Sequence, residues 1–534
     1  MANSKYEYVK SFELEDEVML PNLILVRIDG RDFSRFSQVH EFEKPNDEAA
    51  LNLMNSCSSA VLEEYPDIIF AYGYSDEYRF HNSLSLSSFV SRSHSIHHLP
   101  IVFCVFLSFV FKKTSRFYQR RASKILSLVA SFFASAYVTK WKEFFPQRKL
   151  EYSPSFTSKV VSCASPEVLQ AYLAWRQQDC HANNQYETCF WMLVKSGKTI
   201  SEAQEVLKVE ETVKHDENGN PVKRLRRKAV LVHSENIAGR SFWNEHPSLY
   251  NDIGHFTKDI GRVEPDFVRS FRFESKLLPL TWVVVRIDGS HFHSWPLQFA
   301  DVMLWFSDVH EFEKPNDEQA LKLMNSCAVA VLEEFEDIHF AYGVSDEYSF
   351  VLKRESELYK SHSSKIISAI ASLFTSTYVI RWGDFFPHKE LKYPPSFDGR
   401  AVCYPTYKIL LDYLAWRQVD CHINNQYNTC FWMLVKSGKT KTQSQDYLKG
   451  TQTREKNELL SSQFGIEYNT LPLIFRMGSS VFRSKEAVAV KNGVVVSGKK
   501  PKPKPKREGE VVVDHCNIIE RGFWEEHPHI LSYS

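Results

Sequence analysis

This 534-residue sequence has no excess of either charge and no long apolar run. Lys+Arg and Asp+Glu both number 65, so the formal charge is zero. That balance excludes a uniformly basic protein that coats nucleic acid, although it leaves room for a local basic groove. The longest apolar stretch, 99–111, is shorter than the about 20 residues of a membrane-spanning helix. The charged N-terminus lacks the apolar segment of a secretory signal, and we expect no membrane partner.

Zinc-type spacings are also missing, because the ten cysteines form no CxxC pair. The pattern favours buried or surface thiols in a reducing compartment. With 43% hydrophobic and 24% charged residues, the composition is that of an ordinary globular protein. At about 150 residues per domain, the length would suggest three or four domains.

Long internal repeats account for most of the chain. Residues 38–78 return at 308–348 with nine differences in forty-one positions, and residues 172–199 return at 413–440. A period of about 260 residues is too long for a solenoid, so the sequence predicts one duplicated domain. We place the first repeat at residues 1–250, a linker at 251–262 and the second repeat at 263–534.

The offset between equivalent residues changes three times along the chain. It is 259, 270, 241 and 281 at four positions of the first repeat: Asp29, Asp76, Lys124 and Phe242. The second repeat therefore carries 11 extra residues within 294–305, and the first carries 29 extra residues at about 79–107. The first repeat also lacks about 40 residues near 208. Both insertions are rich in Ser, Leu, Phe and Val, and we interpret them either as translated non-coding sequence or as unusually apolar surface loops.

Hydrophobic patterning predicts the secondary structure of each repeat. Residues 22–29 are a short apolar run that ends at Gly30, which is typical of a buried central strand. Residues 46–65 predict a helix with an acidic first turn, and 119–141 predict a long apolar helix. Residues 67–73 predict a strand that leads into a YSDE turn. The order predicts an α+β fold, an antiparallel sheet with helices on one face.

Two aspartates are the candidate reactive groups of the first repeat. Asp29 is predicted at the end of one strand and Asp76 in the turn that joins the next two. If these strands are neighbours, the two carboxylates repel, which raises one pKa unless cations neutralise them. Mg²⁺ takes carboxylate and phosphate oxygens, and two such ions suit phosphoryl or nucleotidyl transfer. Gly30 would let a phosphate or metal approach the backbone closely. Alternatively, both aspartates cap turns.

Several ordered motifs resemble the tRNA-histidine guanylyltransferase family. They are ANSKYEYVKSFE, VRIDGR, FEKPND, AYGYSDEY, RRASK, HINNQYN, EKNELL and FWEEHP. The resemblance covers nearly the whole chain twice, outside the insertions, and the tandem arrangement resembles the plant members. It implies two polymerase-palm-like domains and the addition of a guanylate to the 5′ end of tRNA-His in the 3′→5′ direction. In this reaction ATP first adenylylates the 5′-phosphate, and the 3′-hydroxyl of GTP then displaces AMP.

The resemblance also implies roles for residues at matched positions. Two Mg²⁺ ions per active site would be held by Asp29, Gly30 and Asp76 in the first repeat, and by Asp288, Gly289 and Asp346 in the second. The four aspartates are the predicted catalytic residues, and with the glycines they also border the nucleotide. The other predicted nucleotide contacts follow the Asp-Gly pair or precede the second aspartate: Arg31, Asp32, Phe33, Ser34, Ser75, Ser290, His291, Phe292, His293 and Ser345.

Two further motifs are open to two interpretations each. Lys44 and Lys314 would pair with a triphosphate, or they are solvated lysines before a helix. The HINNQYN block, 422–428, resembles the family's conserved segment near the active site and the tRNA end, whereas the residues alone favour polar helix packing. The first repeat departs from the family at Ser34, where histidine is usual, and at Glu187. We therefore predict that the second repeat is the better catalyst.

Basic runs at corresponding positions are the remaining feature. Residues 222–228 carry five positive charges and residues 499–507 carry six. They would contact tRNA phosphates, direct nuclear import, or form a solvated linker. We expect tRNA-His, GTP and ATP as partners, a nuclear location with the cytoplasm as a second one, and a homo-oligomer with a tetramer-like arrangement of repeats. The competing functions are a nucleotidyl cyclase or general palm polymerase, and a degenerate tRNA-binding regulatory protein with one or both repeats inactive.

Overall fold

The computed structural model divides into two compact units. It describes residues 4–76, 104–207, 212–215, 221–224, 251–253, 272–273, 276–292, 306–484 and 509–531. The first-repeat unit contains residues 17–274, and the second-repeat unit contains residues 275–534 together with residues 1–16. The boundaries predicted for the repeats and for the 251–262 linker stay predictions, and most of that linker lies outside the described residues.

The first-repeat unit is built around an antiparallel sheet. Its described strands are β1 (Leu23–Arg31), β2 (Ile68–Asp76), β3 (Cys104–Phe111), β4 (Ser155–Cys163), β5 (Thr212–His215), β6 (Pro221–Arg224) and β7 (Arg272–Phe273). Its described helices are α1 (Phe33–Val39), α2 (Glu48–Glu64), α3 (Ala122–Phe144), α4 (Pro166–Lys195) and α5 (Ile200–Val206). The strand order is β2-β3-β1-β4-β7, and β5 and β6 form a separate hairpin.

The second-repeat unit repeats this plan and extends it. Its described strands are β8 (Trp282–Gly289), β9 (Ile338–Val344), β10 (Glu347–Leu352), β11 (Phe397–Tyr404), β12 (Ser479–Arg483) and β13 (Val511–Asp514). Its described α-helices are α6 (Phe306–Val309), α7 (Glu318–Glu334), α8 (Ser363–Phe385), α9 (Tyr407–Lys436), α10 (Lys441–Leu448), α11 (Thr453–Phe464), α12 (Leu473–Met477) and α13 (Arg521–Glu526). The strand order is β11-β8-β10-β9-β12-β13.

The predicted elements are confirmed where the pattern was strongest. The helix predicted at 46–65 is α2, and its N-cap Asp47 accepts a hydrogen bond from the Ala50 N–H at 2.9 Å. A side chain that accepts from the first turn satisfies a backbone donor that the helix itself leaves unpaired. Helices α3 and α8 are long and apolar enough to cross a membrane, but 83% of each apolar window is buried in the protein. They are the central core helices of the two units.

The antiparallel α+β class is confirmed, but the expectation of helices on one face is wrong. Leu23 and Leu25 point to one face of β1 and pack with Leu169 of α4. On the opposite face, the Phe156 ring of β4 lies 5.0 Å from the Phe133 ring of α3. Since successive side chains of a strand point to opposite faces, the continuous apolar run of β1 is the mark of a sheet covered on both sides.

Candidate active site

The second-repeat unit brings its two predicted catalytic aspartates together. Asp288 lies at the end of β8, and Asp346 lies in the two-residue turn between β9 and β10. The Gly289 N–H donates a hydrogen bond to the Asp346 carbonyl at 3.0 Å, which fixes this turn against the end of β8. Asp346 is accordingly among the groups that act electrostatically on Asp288. The expected proximity of the two strands is therefore present in this unit.

Glycine is required at this contact by close packing. A Cβ built on Gly289 would lie 2.6 Å from the Phe292 ring and 3.1 Å from the Asp346 Cβ. The equivalent Cβ on Gly30 would lie 2.5 Å from the Phe33 ring. Both rings are almost fully buried, at 3% and 1% exposed, so neither can move aside. The glycine thus serves first to let the buried phenylalanine pack under the strand end.

Asp288 is buried among other carboxylates. Burial raises the pKa of Asp288 well above its usual range, and Asp346, Glu347 and Asp398 raise it further, whereas Arg286 lowers it. The strand register explains two of these neighbours, because Glu347 and Asp398 are the cross-strand partners of Asp288 on β10 and β11. Our sequence analysis missed both carboxylates. Only the pairing of the strands, which no local motif encodes, places them beside Asp288.

Arginines hold the surrounding carboxylates in place. Arg417 of α9 pairs with Glu347 at 2.8 Å and with Asp420 at 3.1 Å. The Arg286 guanidinium lies 3.8 Å from Glu347 and 3.5 Å from Glu13. Burial lowers the pKa of Arg286, but Glu347 and the other nearby acids outweigh that effect and raise it. Arg286 therefore stays charged and links β8 to these acids.

The loop after Gly289 turns sharply. The Ser290 N–H donates to the Ser396 carbonyl at 2.9 Å, and His291 has a left-handed backbone with φ 59°. Ser290 Oγ lies 3.1 Å from His291 Nδ1, so a hydroxyl and an imidazole share the loop surface. Phe292 instead stacks on Phe306 at 4.4 Å in the core, which leaves its backbone, not its ring, available to a nucleotide.

The loop after Gly30 in the first repeat shares the left-handed residue and the buried phenylalanine of the loop after Gly289. In the first repeat, Asp32 has the left-handed conformation of His291, with φ 51°, and pairs with Arg31 at 3.4 Å. Phe33 is a core residue like Phe292. Ser34 is half-buried, and Ser345 begins the β9–β10 turn with φ 55°. His293 lies outside the described residues, as does the whole of the predicted 294–305 insertion.

The first repeat has a different geometry at the second aspartate. Strand β2 continues through Ser75 to Asp76, which pairs with Cys104 of β3. The prediction that Asp76 lies in a tight turn is therefore wrong for this repeat, although it is right for Asp346. Residues 77–103 lie outside the described residues, and β3 already includes the last positions of the predicted 79–107 insertion.

The surroundings of Asp29 also differ. Its cross-strand partners are Phe106 and Thr157, at the positions where the second repeat has Glu347 and Asp398. Arg27, which is equivalent to Arg286, binds Asp29 directly with Nε 2.8 Å from Oδ1. An ion pair of this kind competes with any other cation for the carboxylate.

The two open motifs make specific local contacts. Lys314 Nζ lies 3.3 Å from Asp308 and 3.0 Å from Ser307 Oγ, so it is anchored at one side of the KPND loop. Asn425 of the HINNQYN block accepts from Asn316 at 2.9 Å and donates to the Tyr468 hydroxyl at 3.1 Å. The helix-packing interpretation thus holds for Asn425. The predicted roles of the two motifs toward a triphosphate and tRNA stay predictions.

Sequence comparison identifies the family. A family model described as tRNAHis guanylyltransferase matches residues 6–164 and again 265–405, and the Thg1 C-terminal domain matches 167–223 and 408–520. The chain belongs to the tRNAHis guanylyltransferase family. It is a nucleotidyltransferase, and the two matches agree with the duplication in the sequence.

Two plant relatives support this family assignment over the full length. tRNA(His) guanylyltransferase 1 of Arabidopsis thaliana is 77% identical over all of this chain and 92% of its own length. tRNA(His) guanylyltransferase 2 of the same plant is 69% identical over the whole of both chains. The crystal structure of tRNA(His) guanylyltransferase from Saccharomyces cerevisiae matches 41% of this chain and 93% of its own, at 45% identity and a TM-score of 0.38.

The donor set of this guanylyltransferase-family site fits Mg²⁺. Among the described residues, no group of three or more His, Cys, Asp or Glu side chains is arranged so that it could hold a metal ion by itself. Mg²⁺ seldom uses such a cage, because it is typically bound by one or two carboxylates that leave positions for water and substrate phosphates. Asp288 and Asp346, with the Gly289 carbonyl, would supply that kind of open oxygen set. Burial and the neighbouring acids raise the pKa of Asp288, and a cation bound at this strand end would favour its charged form.

Proposed function

We propose that this chain adds a guanylate to the 5′ end of tRNA-His, with ATP as the activator of the 5′-phosphate and GTP as the incoming nucleotide. The names and high identity of the two Arabidopsis relatives support this activity. The observation that carries it is the Gly289–Asp346 hydrogen bond, because it brings two carboxylate-bearing residues to one strand end in the second repeat.

In this proposal, Asp288, Asp346 and the Gly289 carbonyl hold two Mg²⁺ ions. When bound, these ions neutralise the triphosphate and favour attack by a hydroxyl group. Arg417 keeps the Glu347 carboxylate in a fixed position beside the strand end. Ser290 and His291 present a hydroxyl and an imidazole on the loop that follows, where they can donate hydrogen bonds to phosphate oxygens.

A second proposal concerns the first repeat alone. We infer that it has lost most of its catalytic capacity and serves as a tRNA-binding or structural half. The Arg27–Asp29 ion pair and the extended path of the chain through Asp76 favour this interpretation. The basic run 222–228 would then provide phosphate contacts, as its counterpart 499–507 would in the second repeat, and tRNA binding would weaken as salt rises. Salt-independent binding would contradict that role.

Location and assembly are also proposals. A nuclear location, with the cytoplasm as a second one, rests on the basic runs as import signals. Fluorescence microscopy of the full chain should show nuclear signal that is lost when the lysines of 499–507 are replaced. A homo-oligomer with a tetramer-like arrangement of repeats is tested by light scattering, and a monomeric mass would contradict it.

Label transfer tests the proposed reaction. GTP labelled at the α-phosphate, ATP and a tRNA-His transcript with a 5′-monophosphate are incubated with the full chain, with and without Mg²⁺. We expect label at the 5′ end of the RNA only when Mg²⁺ and ATP are present. A cyclic nucleotide product would instead support a cyclase, and RNA binding without any label transfer would support a regulatory protein.

A further inference from the structure

The N-terminal segment of the first repeat, residues 4–16, packs inside the second-repeat unit. Val9 is fully buried in one apolar cluster with Tyr413 and Trp416. The Phe12 ring lies 5.8 Å from the Tyr404 ring, and the Tyr8 hydroxyl donates to Asp412 at 2.5 Å. A segment that buries apolar side chains and makes a polar contact of this kind is an integral part of the unit it packs against.

The corresponding segment of the second repeat follows the reverse path. Residues 272–273 form β7, which pairs with β4 at Val160 and Val161 in the first-repeat unit. After the exchange, each segment returns to its own repeat through an antiparallel β-bridge at equivalent positions. Glu17 bridges to Arg121 in the first repeat, and Lys276 bridges to His362 in the second. The two repeats therefore exchange their N-terminal segments within one chain.

This exchange places an acid from the first repeat beside the second active site. The Glu13 carboxylate pairs with Arg400 of β11 and lies 3.5 Å from Arg286 of β8. Arg286 is two residues before Asp288, so both side chains point to the same face of the strand. Side chains of Glu13 and Arg286 are only 21% and 14% exposed, which strengthens their attraction.

Arg27, the residue of the first repeat that is equivalent to Arg286, has a different ion-pair partner. Arg27 binds Asp29 at 2.8 Å, whereas the ion pairs of Arg286 are with Glu13 and Glu347 and none joins it to Asp288 in the described part of the unit. Position 272, which is equivalent to Glu13 by the same offset of 259, is an arginine. The acid that draws Arg286 aside is therefore specific to one of the two exchanged segments.

We propose that Glu13, which the first repeat supplies, is a positioning residue of the second active site. Glu13 draws the Arg286 guanidinium away from Asp288 and so leaves the Asp288 carboxylate available for a divalent cation. This inference rests on the proposed function for the identity of the cation site. It gives the first repeat an essential part in the activity of the second, even where its own site is inactive.

Direct cation binding tests the proposal. The full chain with Asp29→Ala and Asp76→Ala serves as background, so that binding is read at the second site, and Mn²⁺ titration by electron paramagnetic resonance is the readout. Glu13→Gln should weaken Mn²⁺ binding about 10-fold, the lower end of the loss on removing a residue behind a metal ligand. Glu15→Gln, an exposed acid on the same segment, is the matched control and should leave Mn²⁺ binding unchanged. Equal affinities in the Glu13 and Glu15 variants would overturn the proposal.

A double-mutant cycle separates positioning from simple loss of charge. If Glu13 acts through Arg286, the effect of Glu13→Gln should disappear in a chain that also carries Arg286→Gln. A Glu13→Gln effect that persists in that chain would contradict the positioning role. Should Glu13→Gln fail to fold, Glu13→Asp replaces it, and an affinity equal to that of the background chain would contradict the proposal.

The same titration distinguishes this inference from the proposed function. Loss of Mn²⁺ binding in Asp288→Ala identifies the second site as the binding site, whatever the activity of the chain. If Asp288→Ala binds Mn²⁺ as well as the background chain does, the proposed site itself is wrong. If it loses binding while Glu13→Gln keeps it, only the role of Glu13 is wrong.

Discussion

The two repeats have nearly identical sequences around their second aspartate but different structures there. In the second repeat, the chain turns at Ser345 and Asp346, and the turn is bonded to Gly289. In the first repeat, the same SDEY sequence continues as an extended strand through Asp76. The comparison teaches that the motif alone does not make the site. In the first repeat, the insertion predicted at about 79–107 begins directly after this motif.

The two sites also differ in how their charges are distributed. Asp288 lies between two acidic strand partners, whereas the strand partners of Asp29 are Phe106 and Thr157. In the first repeat, Arg27 pairs with Asp29 itself. Asp288 thus lies among acids, where a cation would favour its charged form, whereas Asp29 is paired with an arginine.

The largest difference in guanylylation rate should separate the two variants that add a methyl group at the end of β8 or of β1. Gly289→Ala forces a Cβ against Phe292 and Asp346, and it should reduce guanylylation on the order of 100-fold because reacting groups misplaced by about 1 Å cost that much. Gly30→Ala creates the same clash with Phe33 in the first repeat and should lower the rate less than about 3-fold. Steady-state rates with tRNA-His measure both variants. Equal losses would mean that both sites work.

The sequence predicts the fold far better than it predicts these differences. Strand β1 and helix α2 follow from local patterns of apolar and capping residues, and both are confirmed. Glu347 and Asp398 become part of the site only through strand register, which joins residues far apart in the chain. Glu13 was missed for a similar reason, since it lies in the other repeat and reaches the site by segment exchange. The position of helix α4 on the second face of the sheet follows from the continuous apolar run of β1, which requires burial on both faces. The order of the predicted elements alone did not indicate it.

A smaller effect should follow from exchanging one strand partner. Asp398→Thr gives the second site the residue that the first has at the equivalent position, 157. It removes one acid that raises the pKa of Asp288, so Asp288 should ionise at lower pH and the acidic limb of the rate profile should move to lower pH. We also expect about a 10-fold lower rate at neutral pH, because a carboxylate behind the cation site is lost. Thr157→Asp is the matched control, and a similar shift of the profile in that variant would contradict the comparison.

The smallest expected effects are on stability, and they have opposite signs. Without divalent cations, the raised pKa of Asp288 means that folding favours the protonated form of this carboxyl. Asp288 therefore stabilises the protein at low pH, and that stabilisation is lost as pH rises through the raised pKa. At neutral pH in EDTA, Asp288→Asn should therefore raise the free energy of unfolding by about 1 kcal/mol. Asp29→Asn breaks the ion pair with Arg27 and should lower it by about 1 kcal/mol. Thermal unfolding measures both, and shifts of the same sign would contradict the assigned surroundings of one aspartate.

The central claim is that the second repeat carries the catalytic site, and one assay tests it most directly. Label transfer from GTP to the 5′ end of tRNA-His is compared in two full-length double variants, Asp288→Ala with Asp346→Ala and Asp29→Ala with Asp76→Ala. The account predicts that the first variant loses guanylylation and that the second keeps appreciable activity. Full activity in the Asp288→Ala, Asp346→Ala chain would contradict it.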